Sequence, residues 1–529
     1  MKTYSLLKKL TFIVMLFLGV MRMTNLNAQF TFTVGDLIYL VNDDEISVTV
    51  TGHVDDYPTG ELVIPETVPY NGTDYAVTII GEWAFAMCDG YIGSLMISDV
   101  VTTIGDYAFF DCYGLNGALT IGNSVVTIGY KAFSNCSGWD VITVDSENPY
   151  YDSRDNCNAI ISTVNNTLIL GCKNTIIPNT IVEIGSSSFV GCSLTTFAIP
   201  NSVQKIDDHA FGNCEFTSIN IPFSVIEIGS NPFSGCQALS SITVDVDNPV
   251  YDSRNNCNAI INSETNELIT GCQNTNLIEG ITSIGNSAFE GCTGLTGDLV
   301  IPNSVTTIGS AAFNFCYNIN GTLTMSNSVT SIGDFAFYGC SSITGSLIIP
   351  DSVVSIGEYS FHSCYGVDVL IIGNFVNNIG NRAFYGCSGL SEVISKATTP
   401  PVFGAGEWNE AVFSDINCST LVVPCGCIQA YENSFWHDFF TTIIEDCSDV
   451  YELDENLALV YPNPTKGIVK IKAENIQNIS IYSMSGKKMF ESTASGNEFD
   501  YDFINHEPGV YLVRIETAQG IFSKRITVM

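Results

Sequence analysis

Cysteine and histidine are where chemistry would first be sought in this 529-residue chain, which holds 19 of the one and five of the other. Thiols in such number serve as nucleophiles, metal ligands or disulfide partners. Eleven of them recur in register: Cys88, Cys112, Cys136, Cys192, Cys214, Cys236, Cys292, Cys316, Cys340, Cys364 and Cys387 each fall three residues after a Phe and eight after an Ile. A nucleophile needs one thiol beside a base, so a ladder of this kind reads instead as small buried side chains packing as hydrophobes, unbridged. The other eight are Cys157, Cys172, Cys257, Cys272, Cys418, Cys425, Cys427 and Cys447, an even number open to pairing. His53, His209, His362, His437 and His506 belong to no spaced metal motif, and the chain has no G-x-S-x-G elbow, P-loop or dinucleotide fingerprint. Asp145, Asn148, Asp152 and Asp155, with Asp245, Asp247, Asn248 and Asp252 in a second copy, offer oxygen ligands, but their order fits no EF-hand and reads as an extended turn. No catalytic residue, cofactor or metal site is nominated on these grounds.

What positions the ladder is a repeat. Ile80, Ile104, Ile128, Ile184, Ile206, Ile228, Ile284, Ile308, Ile332, Ile356 and Ile379 lie 22 to 24 residues apart, apart from two gaps of 56. The unit reads L-x-I-P-x-S-V-x-x-I-G-x-x-A-F-x-x-C-x-x-L-T-G. Alternation around LVIP (299–302) and LIIP (347–350) is strand spacing, and Pro with Asn-Ser or Asp-Ser makes a turn. S-V-x-x-I is a second short strand. Gly after the Ile is expected to permit a bend, and x-x-A-F-x-x-C to make one helical or 3₁₀ turn with Phe and Cys inward. One such unit cannot bury its apolar residues alone, whereas stacked copies can. The fold expected is a repeat solenoid, continuous over 61–447.

This skeleton resembles the BspA-like subclass of leucine-rich repeats, found in surface and secreted proteins of Bacteroidetes. The segments 142–172 and 242–272, near copies of one another, resemble that family's hairpin-bearing variant repeat. The resemblance implies a non-enzymatic binding array whose partners are host matrix proteins or surface proteins of other microbes. Surface capture of glycan or peptide nutrients is the alternative.

Both ends differ from the array. Residues 1–28 have a basic start (Lys2, Lys8, Lys9) and an apolar run of eleven, too short to span a bilayer, and read as a secretory signal peptide cleaved after Ala28. No other run is long enough for a transmembrane helix. Residues 459–529, with LVYPNPTKGIVKIK, ISIYSMSGKKMF and PGVYLVRIETAQGIFSKRITVM, alternate like strands of a small β-sandwich. They resemble the type IX secretion C-terminal sorting domain, which implies export across the outer membrane by that machinery, secreted or held at the outer cell surface. Between them come an N-terminal cap (29–60), the repeats (61–394), a degenerate closing coil (395–447) and a linker (448–458).

Oxidising export favours bridges Cys157–Cys172 and Cys257–Cys272 across the hairpins, and two disulfides among Cys418, Cys425, Cys427 and Cys447 in preference to zinc with His437. Residues 30–458 carry 7 basic and 48 acidic side chains, a net charge near −41, which repels nucleic acid and anionic lipid and keeps a long array soluble. The outward residues of the first strand of each unit make the candidate partner-binding face: Ser94, Met96, Ala118, Thr120, Asp298, Val300, Thr322, Thr324, Ser346 and Ile348. They are short and mostly uncharged, so a partner can approach closely.

Overall fold

A computed structural model describes residues 30–54, 58–195, 197–404, 411–447, 458–483, 487–517 and 520–529. The signal-peptide segment 1–28 and most of the linker lie outside the described residues.

The repeats form coils stacked through two rails of parallel strands. One rail carries the Ile of each unit: Thr103–Ile104 pairs with Thr127–Ile128, and a longer run continues from Ser283–Ile284 to Asn378–Ile379. The other carries the L-x-I strands, such as Leu95–Ile97, Ala118–Ile121 and Val141–Val144. The x-x-A-F-x-x-C segment is a pair of tight turns rather than a helix, and the Phe N–H donates to the Ala carbonyl of the next coil (Phe85 to Ala108 2.8 Å, Phe313 to Ala336 2.7 Å). The Phe rings stack along the axis at 5.0–5.8 Å, from Phe85 to Phe133, from Phe189 to Phe233 and from Phe289 to Phe413. Each buried ring contributes roughly 1.5–3 kcal/mol relative to exposure.

The thiol ladder is more than apolar filling. The Sγ of Cys112, Cys136, Cys316, Cys340 and Cys364 donates to the carbonyl of the preceding coil's Phe at 2.9–3.3 Å. A side chain at this site must be small and must donate one hydrogen bond, which Cys does and Ala does not. Cys88 begins the ladder with no coil before it, and its Sγ meets His53 Nε2 of the cap at 3.1 Å.

Glycine after the Ile has a different role from the bend expected of it. Its φ is not left-handed. Instead, a Cβ at Gly105, Gly309 or Gly333 would overlap the backbone of the preceding coil. A first left-handed residue comes three places after the Ile in all eleven turns, at φ between +25° and +59°, and is not glycine in any of them: Trp83, Tyr107, Lys131, Ser187, His209, Asn231, Ser287, Ala311, Phe335, Tyr359 and Arg382. A second precedes the Cys and is glycine in five turns, at Gly191, Gly235, Gly291, Gly339 and Gly386.

The core is divided, not continuous. Three clusters of buried residues follow one another, within 32–172, 157–272 and 257–440. At each junction stands a hairpin, Ala159–Ser162 with Thr167–Gly171 and its copy Ala259–Asn262 with Glu267–Gly271. Side chains alternate across a strand, and these strands are covered on both faces. Ile160 and Leu170 enter the first cluster, whereas Ala159, Ile161 and Leu168 enter the second. The hairpin is a wall between blocks. Its last residue, Gly171 or Gly271, lies flat on the ring of Phe189 or Phe289, where a Cβ would fall inside the ring.

The cap is an antiparallel meander, Thr31–Val34, Leu37–Val41 and Ser47–His53, that joins the Ile rail through Thr73–Ile80. At the other end Glu392–Ser395, Thr420–Pro424 and Thr442–Asp446 continue the first-strand rail, and fully buried Trp436 closes the core against Phe403 and Phe413.

Residues 458–529 form one five-stranded sheet rather than the two facing sheets of a sandwich. Ile468–Ser483 is long enough to pair with Ala458–Tyr461 at its start and with Gly509–Thr517 at its end. Register shifts near Ile476 bend it, and the far edge returns to bond Thr465 through Thr527 and Met529. Val469, Ile471, Ile481, Val513 and Ile526 fill the curl.

Candidate binding interface

The ten sheet-face residues all point outward or sit half-buried, but they do not form one surface. Ser94, Met96, Ala118 and Thr120 share a three-stranded strip ending at Val141–Val144. Asp298, Val300, Thr322, Thr324, Ser346 and Ile348 lie two blocks away, on a separate pair of strips. Many of their polar atoms bond coil to coil. Asp298 Oδ1 accepts from Thr322 N at 2.7 Å and Thr322 Oγ1 at 2.9 Å, and these bonds hold its carboxyl below the usual range. Ser94 Oγ accepts from Ala118 N, and Thr120 Oγ1 meets Thr143 Oγ1 at 3.3 Å. Val300 and Thr324 border a shallow depression of about 450 Å³ with Glu279, Asn303 and Asn327. This is a low relief whose named charges, Asp298 and Glu279, are acidic.

The other side of the coil, the turn edge, is where the structure gathers large side chains that sequence inspection left scattered. Over residues 308–388 the outer positions of successive turns stack into columns. Phe335 lies on Tyr359 (centroids 4.9 Å, planes 4° apart). Tyr338, His362 and Tyr385 stack at 4.7 and 4.9 Å. The Arg382 guanidinium lies 5.6 Å over the rings of both Tyr359 and Tyr385, and its Nη1 donates to the Tyr359 hydroxyl at 3.2 Å. Burial, then the Arg382 charge, holds His362 below its usual value, so the ring is neutral at pH 7. Phe335 retains 39% of its exposure and Tyr365 52%. Rings stacked at the coil spacing spend their faces on each other and turn their edges outward, while the Tyr359 hydroxyl is held by Arg382 and the Tyr385 hydroxyl by Asp415. A shorter column, Trp83 on Tyr107 (4.2 Å, 8°) with Tyr130 edge-on at 5.6 Å, occupies the same edge of the first block. The signal was in the sequence: aligning the repeats by column shows Phe335, Tyr359 and Arg382 at one position.

The eight off-ladder cysteines yield one bridge, Cys425–Cys447, with Cα atoms 4.6 Å apart. Cys157, Cys172, Cys257 and Cys272 are unbridged and buried. Each expected pair sits on opposite faces of its wall: Cys157 packs in the second cluster and Cys172 in the first, with Cys257 and Cys272 divided the same way. A one-residue difference of register sends strand neighbours to opposite faces, and these two thiols cannot meet. Cys418 and Cys427 are likewise unbridged, their thiols donating to Thr420 O at 3.1 Å and Thr398 O at 3.5 Å. Burial pushes the Cys192, Cys236 and Cys387 thiols up to about 12, which disfavours the thiolate at neutral pH.

Among the described residues, the one group with metal-ligand proximity is Cys425, Glu445 and Cys447, and two of its three donors are the bridged sulfurs. His437 is turned to Ser434 O and Asp438. The acidic segments 145–155 and 245–252 are turns held by their own side chains: buried Asn148 donates to Gly122 O and Val125 O and accepts from Tyr150 N and Tyr151 N, while Asp152 pairs with Arg154. Asn248 and Asp252 repeat this.

Comparison with known proteins places this geometry. A family model described as the BspA type leucine rich repeat region matches in 6 copies, over residues 73–169, 167–260, 259–391 and 320–442. A model for the secretion system C-terminal sorting domain matches 459–529. Among solved structures the chain is similar to a leucine rich cell surface protein from Faecalibacterium prausnitzii (25% identity, 74% of this chain and 98% of that one, TM-score 0.44). It is also similar to the pneumococcal vaccine antigen PcpA (17% identity, 79% and 99% covered, TM-score 0.38) and to a leucine-rich repeat protein from Bacteroides ovatus (19% identity, 78% and 99% covered, TM-score 0.29). No curated protein matches in sequence.

Proposed function

Since the chain belongs to the BspA-type leucine-rich repeat family and ends in a secretion sorting domain, we propose that it is a non-enzymatic binding protein of the outer cell surface, acting as an adhesin. Its partners in this reading are host matrix proteins or surface proteins of other microbes. Residues 1–28 serve as a signal peptide for the first membrane, and 459–529 address the type IX machinery at the second. Among the described residues no helix is long and apolar enough to cross a membrane.

The observation that carries the reading is the columnar surface. Each outer position recurs once per coil at about 5 Å, so a partner meets rows spread over several coils rather than a cleft. Interfaces of this shape draw their energy from a few aromatic and arginine anchors within a wider contact. The sheet-face residues from Ser94 to Ile348 and the turn edge are the two rows on offer. Glycan capture is the weaker reading, because sugars stack on exposed ring faces and the turn-edge rings spend theirs on neighbours. Immobilised full chain, challenged in parallel with matrix proteins and with a glycan array, is expected to retain a protein. Retention of glycans alone would contradict the assignment.

A further inference from the structure

The array contains its own control. Coils 181–237 share the fold, the Phe stack and the Cys ladder of coils 281–388. Yet where the last three coils of the later block carry Phe335, Tyr359 and Arg382 at the first left-handed turn position, the middle block carries Ser187, His209 and Asn231, and the later block's own first two coils carry Ser287 and Ala311. Where the later block has Tyr338, His362 and Tyr385, the middle has Val190, Gly212 and Ser234. Packing therefore does not require the aromatics. Backbone preference opposes Phe335, Tyr359 and Arg382 too, since Asn tolerates positive φ and bulky side chains do so at a cost. Six large side chains on the turn edge, Phe335 exposed and the other five half-buried, that the coil manages without point to contact with something outside the coil.

The surroundings say what that is. Residues 30–458 have a net charge near −41, and the column beside the rings carries exposed Asp334 and Glu358. A field of that sign turns away acidic partners and draws basic ones. Arg and Lys match the relief: their methylene stems lie along ring edges while their charged ends reach the flanking carboxylates. Arg382, the one opposing charge here, lies over Tyr359 and Tyr385. We propose that the turn edge around Phe335, Tyr338, Tyr359 and Tyr385 is a docking surface for a basic polypeptide segment of a partner protein. This rests on the protein-binding reading above.

Fluorescent octa-arginine, with octa-glutamate as its counterpart, tests this by anisotropy on the full chain at 0.15 M salt. The variant Phe335→Ser/Tyr338→Ser/Tyr359→Asn takes residue types that the middle block tolerates at the same positions, and Val300→Ser/Thr324→Ser/Ile348→Ser alters the sheet face instead. Octa-arginine affinity is expected to fall about tenfold in the first and hardly at all in the second. Should the first variant fail to fold, Glu358→Gln, exposed and remote from the core, is expected to weaken binding severalfold. Equal affinity across all variants, or octa-glutamate bound as tightly, overturns the proposal. Loss confined to the sheet-face variant also overturns it, yet leaves the array a protein binder. Edge-dependent octa-arginine binding without retention of any matrix protein would instead sink the adhesin reading alone.

Discussion

The middle block and the C-terminal block differ in what they show the solvent, not in how they are built. Both stack Phe at 5–6 Å, both donate Cys Sγ to a Phe carbonyl (Cys214 and Cys236 in one, Cys316 and Cys340 in the other), and both abut a hairpin wall. The outer turn columns change, from Ser187, His209 and Asn231 with Val190, Gly212 and Ser234 to a stacked aromatic set with Arg382. The coil is thus a frame with fixed inner positions and open outer ones, and a surplus of costly residues at open positions marks use rather than support.

The largest test of that comparison lies inside. Phe211→Ala and Phe313→Ala should each cost about 3–5 kcal/mol by denaturant unfolding, and by similar amounts. A loss in one block alone would mean the blocks are not equivalent frames. Next come the walls. Gly171→Ala and Gly271→Ala push a methyl into a Phe ring, and each should cost about 1–3 kcal/mol by the same measurement; no change would show that the hairpin does not seal against the next coil. Outer positions should matter least. Phe335→Asn gives up a stacked pair worth about 0.5–1.5 kcal/mol, but relieves a left-handed backbone that Asn accepts, so its net change should stay under about 1 kcal/mol. A loss as large as that of an inner Phe would make the edge part of the core.

A last, smaller effect distinguishes the two blocks by pH. His362 is held below its ordinary value of 6.5 when folded, so the unfolded chain binds its proton more readily. Stability of the C-terminal block should therefore be full above about pH 7 and decline as pH falls through the region below 6.5. Replacing His362 with Gln should flatten that slope. An unchanged slope would remove the stacked, neutral imidazole from the account.

Much of this was legible in the sequence. The period and the inward Phe and Cys follow from spacing, because one stripe of a coil must be buried every time it recurs, and the tail is marked by its own motifs. The hairpin cysteines misled, since flanking positions suggest a bridge whereas pairing parity sends Cys157 and Cys172 to opposite faces. Proximity in sequence says nothing of which face a side chain takes until the register is known. Gly105 and its equivalents were read for conformation when the constraint was room for a neighbouring coil. Nor could single letters show that Tyr338, His362 and Tyr385 stack, because a column exists only once the coils are superposed.

Hydrogen exchange along the full chain, alone and saturated with whichever matrix protein it captures, addresses the central claim most directly. The account predicts new protection at turn amides between 310 and 388 and none between 186 and 237, although both segments share one fold. Protection spread evenly over the two blocks, or confined to the middle one, would contradict it.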